Sequence, residues 1–355
     1  MLRPLKINHS GILILFGASL VSNCAFAKEI TPQTALDRYL TLTETGTRSK
    51  SQDYRLSFTA VAESAQIPAY YAFSKGDNDG FVILSADDRL KPVLGYTDSG
   101  SFEMDKLPEN IKWFLEGYRK EISYALKAGI IELMSSGTRS QGADPIAPMI
   151  STKWDQGEVT VTGNAYNSLC PRIGSKKCYS GCVATSMSQI INYHNWPESH
   201  GSGKWQYEWS YYQNGTNMSR ELEFDFENTV FDWANMLEDY NKGGGNDVQN
   251  NAVATLMYAC GVSVEASYGT SATGAFSSII ADAMRTFFNY DGMTRYIKRD
   301  FFSTEEWEAI IYNELKEGRP LIYGGYNIDE VGHSFICDGY DGNCLFHINL
   351  WCGFF

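Results

Sequence analysis

The sequence predicts an α+β fold in two folded parts joined by a linker. Three observations carry this. Strand-like runs between two helical patterns fill residues 28 to about 130. The stretch SSGTRSQGADP, residues 135–145, is small, polar and Gly- and Pro-containing, the composition of an exposed connection. After it, helical patterns come first and strand-like runs follow, the order expected of helices packed on an antiparallel sheet. At 355 residues and 43% hydrophobic, the chain is long enough for two cores.

The elements follow in order. Arg3 and Lys6 precede the short apolar run GILILFGASLV, and Ala25-Phe26-Ala27 is a small-residue cleavage pattern. Residues 1–27 therefore read as an export signal, too short and wrongly flanked for a membrane span. Asn23 before Cys24 fits a lipoprotein site poorly, and no later segment is apolar enough to span a bilayer. ALDRYL is a short amphipathic helix, YYAFSK, GFVILSAD and PVLGYT are strands, and the pattern from Pro108 to Met134 is a helix opened by proline. Beyond the linker, helices are expected at Cys182, over NTVFDWANMLEDY (228–240) and over DVQNNAVATLMYACGV. The runs PLIYGGY, HSFICDGY and NCLFHINLW are expected strands. A small module, a linker and a larger part in an exported chain suit a zymogen; an ordinary two-domain protein has the same composition.

A net charge of -13 argues against a nucleic-acid partner, since nothing here neutralises phosphates in bulk. Of eight cysteines, seven remain once Cys24 leaves with the signal, so at least one is unpaired. Cys170 and Cys178 bracket a short loop and are the expected disulfide. Without a C-x-x-C pair, no structural zinc site is expected.

Cys182 follows Gly181, which leaves room for a close approach, and begins a helical pattern. A thiol there sits in the positive field of a helix N-terminus, which favours the reactive thiolate. The alternative is an inert buried thiol. A nucleophile needs a base. His194 lies twelve residues along the same helix, some 18 Å away at about 1.5 Å per residue, out of reach. His200 sits in a polar loop, and His347 in an apolar strand suits packing or a structural hydrogen bond. His333 follows Gly332 at the start of a strand, where a substrate chain has room, and is the best base on sequence grounds. Asn349 is placed to orient it, as in a Cys-His-Asn set.

SGCVATSMSQIINYHNWP together with GHSFICDGYDGNCLFHIN closely resembles the secreted bacterial cysteine peptidases of the streptopain/interpain type. The resemblance extends over residues 28–355: GFVILSADDRLKPVLGYTDSGSF with ENIKWFLEGY is similar to the prosegment, and STKWDQGEVTVTGNAYN to the opening of the catalytic domain. RDFFSTEEWEAIIYNELKEGRPLIY is similar to the helix and strand before the histidine. It implies a papain-like fold, a helical subdomain plus an antiparallel-sheet subdomain, over 141–355, preceded by a small α+β inhibitory propeptide over 28–140. It implies Cys182 as nucleophile, His333 as general base, Gln156 as an oxyanion-hole donor with the Cys182 amide, and Asn349 as the residue orienting the imidazole. Gly332 and Gly274, the latter in the loop YGTSATGA, match the walls of the substrate cleft. The implied activity is endopeptidase cleavage of proteins or peptides through a thioester, with an apolar preference in the S2 pocket, no cofactor or metal, and the chain's own propeptide as inhibitor.

The resemblance departs at one place. The family reads Asn-Trp-Gly-Trp-Gly-Gly after the last strand, whereas Asn349 is followed here by LWCGFF. The resemblance implies that Leu350 stands where the tryptophan shields the Asn–His bond, and the expectation is of a sheet without its completing strands. An uncovered edge lowers stability. The alternative expectation is accordingly a shortened peptide-binding relative with weak or no catalysis.

Overall fold

The computed structural model describes residues 5–10, 30–43, 53–62, 67–87, 92–107, 109–128, 143–157, 165–241, 244–326, 332–342 and 345–349. Two compact units divide the chain, residues 11–139 and residues 1–10 with 140–355. The strand Leu5–Ser10 (β1) belongs to the larger unit. It lies within the stretch read as an export signal, and residues 11–29 are outside the described residues.

The smaller unit is a sheet with a helix on each face. Helix α1 (Pro32–Thr43) starts at a proline, and the Thr31 hydroxyl accepts the Thr34 amide at 3.2 Å, so the first turn is capped. Strands β2 (Tyr54–Val61), β3 (Pro68–Lys75), β4 (Phe81–Ser85) and β5 (Val93–Thr97) follow as an antiparallel meander in sequence order. Helix α2 (Glu109–Ala128) closes the unit. Because β3 is buried on both faces, its alternating residues serve two cores. Tyr71 and Phe73 pack with Ala35 and Leu36 of α1. Tyr70 and Ala72 pack with Leu115 and Ile122 of α2, flanked by Ile111 and Tyr118. Those four α2 positions, spaced four, three and four apart, form one helical stripe. The sequence places this helix over 108–134, of which residues 108 and 129–134 lie outside the described residues.

The larger unit joins helices to a sheet. A short hairpin, β6 (Arg172–Ile173) with β7 (Lys176–Lys177), leads into α3 (Cys182–His194). Ten of the thirteen α3 residues are buried, and Asn195 in the left-handed conformation ends the helix. A ribbon of β8 (Lys204–Gln213) and β9 (Thr216–Asp225) turns on Asn214-Gly215, both at positive φ. That is the two-residue turn whose twist suits a hairpin. The expected helix over 228–240 is instead extended around a single turn, Trp233–Asn235. Tertiary bonds override its helical pattern: Trp154 Nε1 donates to Leu237 O at 2.7 Å, Lys153 N to Glu238 O at 2.8 Å, and Trp233 Nε1 to Pro197 O at 3.0 Å.

Helix α4 (Asp247–Ser263) forms where expected, opened by a reciprocal cap between Asn246 and Gln249. After it come α5 (Ile280–Phe287), β10 (Arg295–Lys298), and α6 (Thr304–Lys316), the last capped by Ser303 and Glu306. Strands β11 (Leu321–Tyr326), β12 (Gly332–Tyr340) and β13 (Phe346–Asn349) complete a sheet of order β10-β1-β11-β12-β13. β11, β12 and β13 pair antiparallel, and β1 pairs parallel with β10 and β11. Trp307, Ile311 and Leu315 of α6 pack on Leu321 and Cys337, while α3 shares its core with Ile322 and Ile336.

The expected Cys170–Cys178 disulfide is absent, and both residues are buried free thiols. The Cys178 amide donates to Pro171 O at 2.9 Å, so the hairpin sets Cys178 opposite Pro171 and not opposite Cys170.

Candidate active site

Cys182 is the first residue of α3, and Gly181 before it has φ 90°. Glycine is required there twice over. The positive φ disfavours any side chain, and an added Cβ would stand 2.9 Å from both the Thr273 methyl and the Thr273 carbonyl. The loop carrying Thr273 is bonded to the segment before Cys182: Tyr179 N donates to Gly269 O at 3.0 Å and Thr273 Oγ1 to Tyr179 O at 2.7 Å. In the same loop Gly274 pairs with Ser267 and leaves open space where a Cβ would stand, which suits a cleft wall. Gly332 is exposed at the start of β12.

Burial pushes the Cys182 thiol up, while the backbone amides of Ser334, Val183 and Cys182 itself, aimed at the sulfur, pull the other way. The helix-start field is therefore present, but desolvation outweighs it, and the expectation of a lowered thiol is corrected. Among the described cysteines, all five are buried. Only Cys182 among them receives backbone amides. The Ser334 amide is the link that matters, because it brings the residue after His333 to the sulfur. His333 is itself buried, and burial holds its imidazole down at about 4. Burial disfavours charge on both groups.

Gln156 is fully buried, not a surface residue. Its carbonyl accepts the Ser180 amide at 2.9 Å and the Ser180 hydroxyl at 3.1 Å, two residues before Cys182. Asp155 accepts the amides of Gln156 and Gly157 and fixes the turn; burial raises this carboxyl, and those two amides oppose the rise. Asn349 is buried at the end of β13, and its Nδ2 donates to Thr152 O at 3.3 Å. The strand ladder sets Asn349 opposite Ile336, three residues beyond His333 on β12.

The remaining histidines sort as expected. His194 ends α3, half-buried against the rings of Tyr193 and Tyr290 and held at about 4 by desolvation. His200 is exposed, and His347 makes a structural bond to Asp338. Sequence reasoning missed Asp155, Ser180, Thr273 and Asp338. Asp155 and Ser180 adjoin residues already singled out, which was the available signal. Among the described residues no group of three or more His, Cys, Asp or Glu is placed to hold a metal ion. No described helix is long and apolar enough to cross a membrane.

A thiol at a helix start, beside a strand that opens with a buried histidine, is the arrangement of a cysteine peptidase. Comparison with known proteins agrees. The Peptidase C10 family matches residues 154–355, and the Spi protease inhibitor family matches residues 27–122. The chain belongs to the Peptidase C10 family and is a cysteine peptidase with an inhibitor-type region before the catalytic domain. It is 31% identical over 317 residues to the thiol protease/hemagglutinin PrtT of Porphyromonas gingivalis, aligned over 86% of this chain but only 35% of that protein. It is 34% identical over 286 residues to streptopain of Streptococcus pyogenes, covering 77% of this chain and 69% of streptopain. A prointerpain A fragment from Prevotella intermedia superposes with a TM-score of 0.69 at 32% identity, over 84% of this chain and 88% of that one. Active interpain A from the same organism gives 0.51 at 34% identity, over 59% and 83%.

Proposed function

We propose that this chain is an exported zymogen whose peptidase domain, residues 141–355, cleaves proteins through Cys182 and His333, and whose residues 28–140 restrain it until the linker is cut. Residues 1–27 direct export. The observation that carries the catalytic reading is the Ser334 amide on the Cys182 sulfur, which joins the nucleophile's helix to the histidine's strand.

The mechanism needs a thiol and an imidazole brought to one place. His333 Nδ1 or Nε2 accepts the Cys182 proton, and the sulfur attacks the scissile carbonyl. The oxyanion that forms is met by the Cys182 amide and the Gln156 side chain, donors held in place before the substrate arrives. Collapse expels the amine with the proton from His333 and leaves a thioester. Water, deprotonated by His333, hydrolyses it and restores the thiol. Asn349 orients the imidazole, and Gly332 and Gly274 leave room for a peptide whose apolar side chain enters the S2 pocket.

An epoxide thiol-protease probe tests this. It labels Cys182 in the purified chain, and Cys182→Ser abolishes labelling, turnover and self-cleavage near residues 135–145. Turnover that survives Cys182→Ser refutes the reading.

A further inference from the structure

Strand β12 carries an irregularity that the mechanism does not use. Cys337 pairs with Ile348 and Gly339 with His347, so Asp338 is the extra residue of a β-bulge. A bulge re-aims the side chain it carries. Asp338 is fully buried, and its carboxylate is engaged on both oxygens. Oδ2 accepts the amides of Met149 at 3.1 Å and Ile150 at 2.8 Å. Oδ1 meets Nδ1 of His347 at 2.6 Å. Gly339 permits the close fit, since an added Cβ would lie 3.0 Å from both His347 Cβ and Ile146 O.

One carboxylate thus holds three strands of chain that each lead to the site. β12 begins with Gly332 and His333. β13, through His347, ends at Asn349. The segment 146–150 is bonded to Tyr340 and Asp338 and runs on to Thr152, which accepts Asn349, and to Gln156. We propose that Asp338, with His347 as its partner, is a positioning residue that sets the base, its orienting amide and the oxyanion donor in one register with Cys182. It touches no reacting atom, and the proposal rests on the peptidase reading above.

The geometry makes a sharp distinction between substitutions. Asn keeps an oxygen for the Met149 and Ile150 amides, and its NH2 donates to His347 in the other tautomer. Ala leaves the Ile150 amide bare and the Met149 amide with only the backbone carbonyl of residue 338, at 3.2 Å. The experiment is steady-state hydrolysis of a fluorogenic peptide by the matured full chain, with the rate of Cys182 alkylation by iodoacetamide followed against pH. Wild type and Cys182→Ala run alongside, so an inactive wild type refutes the peptidase reading and leaves this one separate. Asp338→Ala lowers kcat by roughly 10–100-fold, the scale of a misplacement near 1 Å, with KM within about twofold. It also displaces the alkylation profile. Asp338→Asn restores kcat to within about threefold of wild type, as hydrogen-bond geometry alone requires. His347→Ala, at a half-exposed side chain, gives an intermediate loss in kcat and keeps the reading available if Asp338→Ala fails to fold. Unchanged kcat in folded Asp338→Ala overturns the proposal. So does unchanged kcat in His347→Ala, equal loss in Asn and Ala, or an effect confined to KM.

Discussion

The two units of this chain are held together by different means. In the inhibitor-type unit, the strands β3 and β4 are buried on both faces and the described core is almost wholly apolar, with Ser74, Ser85, Asp87 and Ser123 as the buried polar residues. The peptidase unit buries Thr152, Asp155, Gln156, Ser180, His333, Ser334, Asp338 and Asn349 on the segments that lead to the candidate site. Apolar burial is non-directional and tolerates small shifts. Buried polar groups are not tolerant, because each needs a partner at a defined distance. The first unit is therefore built to be stable and the second to be accurate, and the two should fail differently when altered.

The largest contrast is at Gln156. Replacing it with Ala removes a side-chain donor that the proposed oxyanion needs and leaves the backbone bonds to Ser180 in place. Turnover falls by about 10²–10³ in kcat, as for comparable oxyanion donors. Thermal unfolding of the peptidase unit moves little by comparison. A kcat near wild type removes Gln156 from the mechanism.

A cut in the other core reverses the pattern. Leu115, 1% exposed, joins α2 to β3. Leu115→Ala leaves a cavity and destabilises the inhibitor-type unit by about 2–5 kcal/mol. The peptidase unit's intrinsic kcat, once the linker is cut, stays unchanged. Equal loss of kcat in that variant would show that the units do not separate energetically.

How much of this was legible in the sequence also divides along the same line. The meander and α2 were readable because their cores follow simple periods of two and of 3.6, and Gly181-Cys182 and Gly332-His333 were readable because glycine beside a reactive group is a local signal. The ribbon β8–β9 has its local signal in Asn214-Gly215, but its strands are largely exposed and carry no clean apolar alternation beside the helical patterns around them. Segment 228–240 misled because its helical spacing is real, but Trp154, Lys153 and Pro197 supply bonds from distant sequence that favour an extended path. Asp338 was invisible for the same reason: its partners, Met149 and Ile150, stand nearly two hundred residues earlier. Export, the linker cut and the ending after Asn349 fall chiefly on residues outside the described ones.

The smallest effect follows from where the histidines are. Residues 11–139 contain none, whereas the larger unit carries His194, half-buried, and His333, buried, both held at about 4 instead of the ordinary 6.5. Between those values the unfolded chain binds protons that the folded one refuses, so stability is lost as pH falls from 6.5 to about 4 and changes no further from this source outside that window. The same low imidazole keeps His333 competent as a base well below pH 6.5, so the acid limb of kcat/KM lies nearer 4 than 6.5. His194→Leu separates the two effects: it reduces the pH dependence of unfolding, read by denaturant midpoints at pH 7 and 4.5, and leaves the acid limb of turnover where it was. A shift of that limb in His194→Leu would mean that the far end of α3 communicates with the thiol at its start.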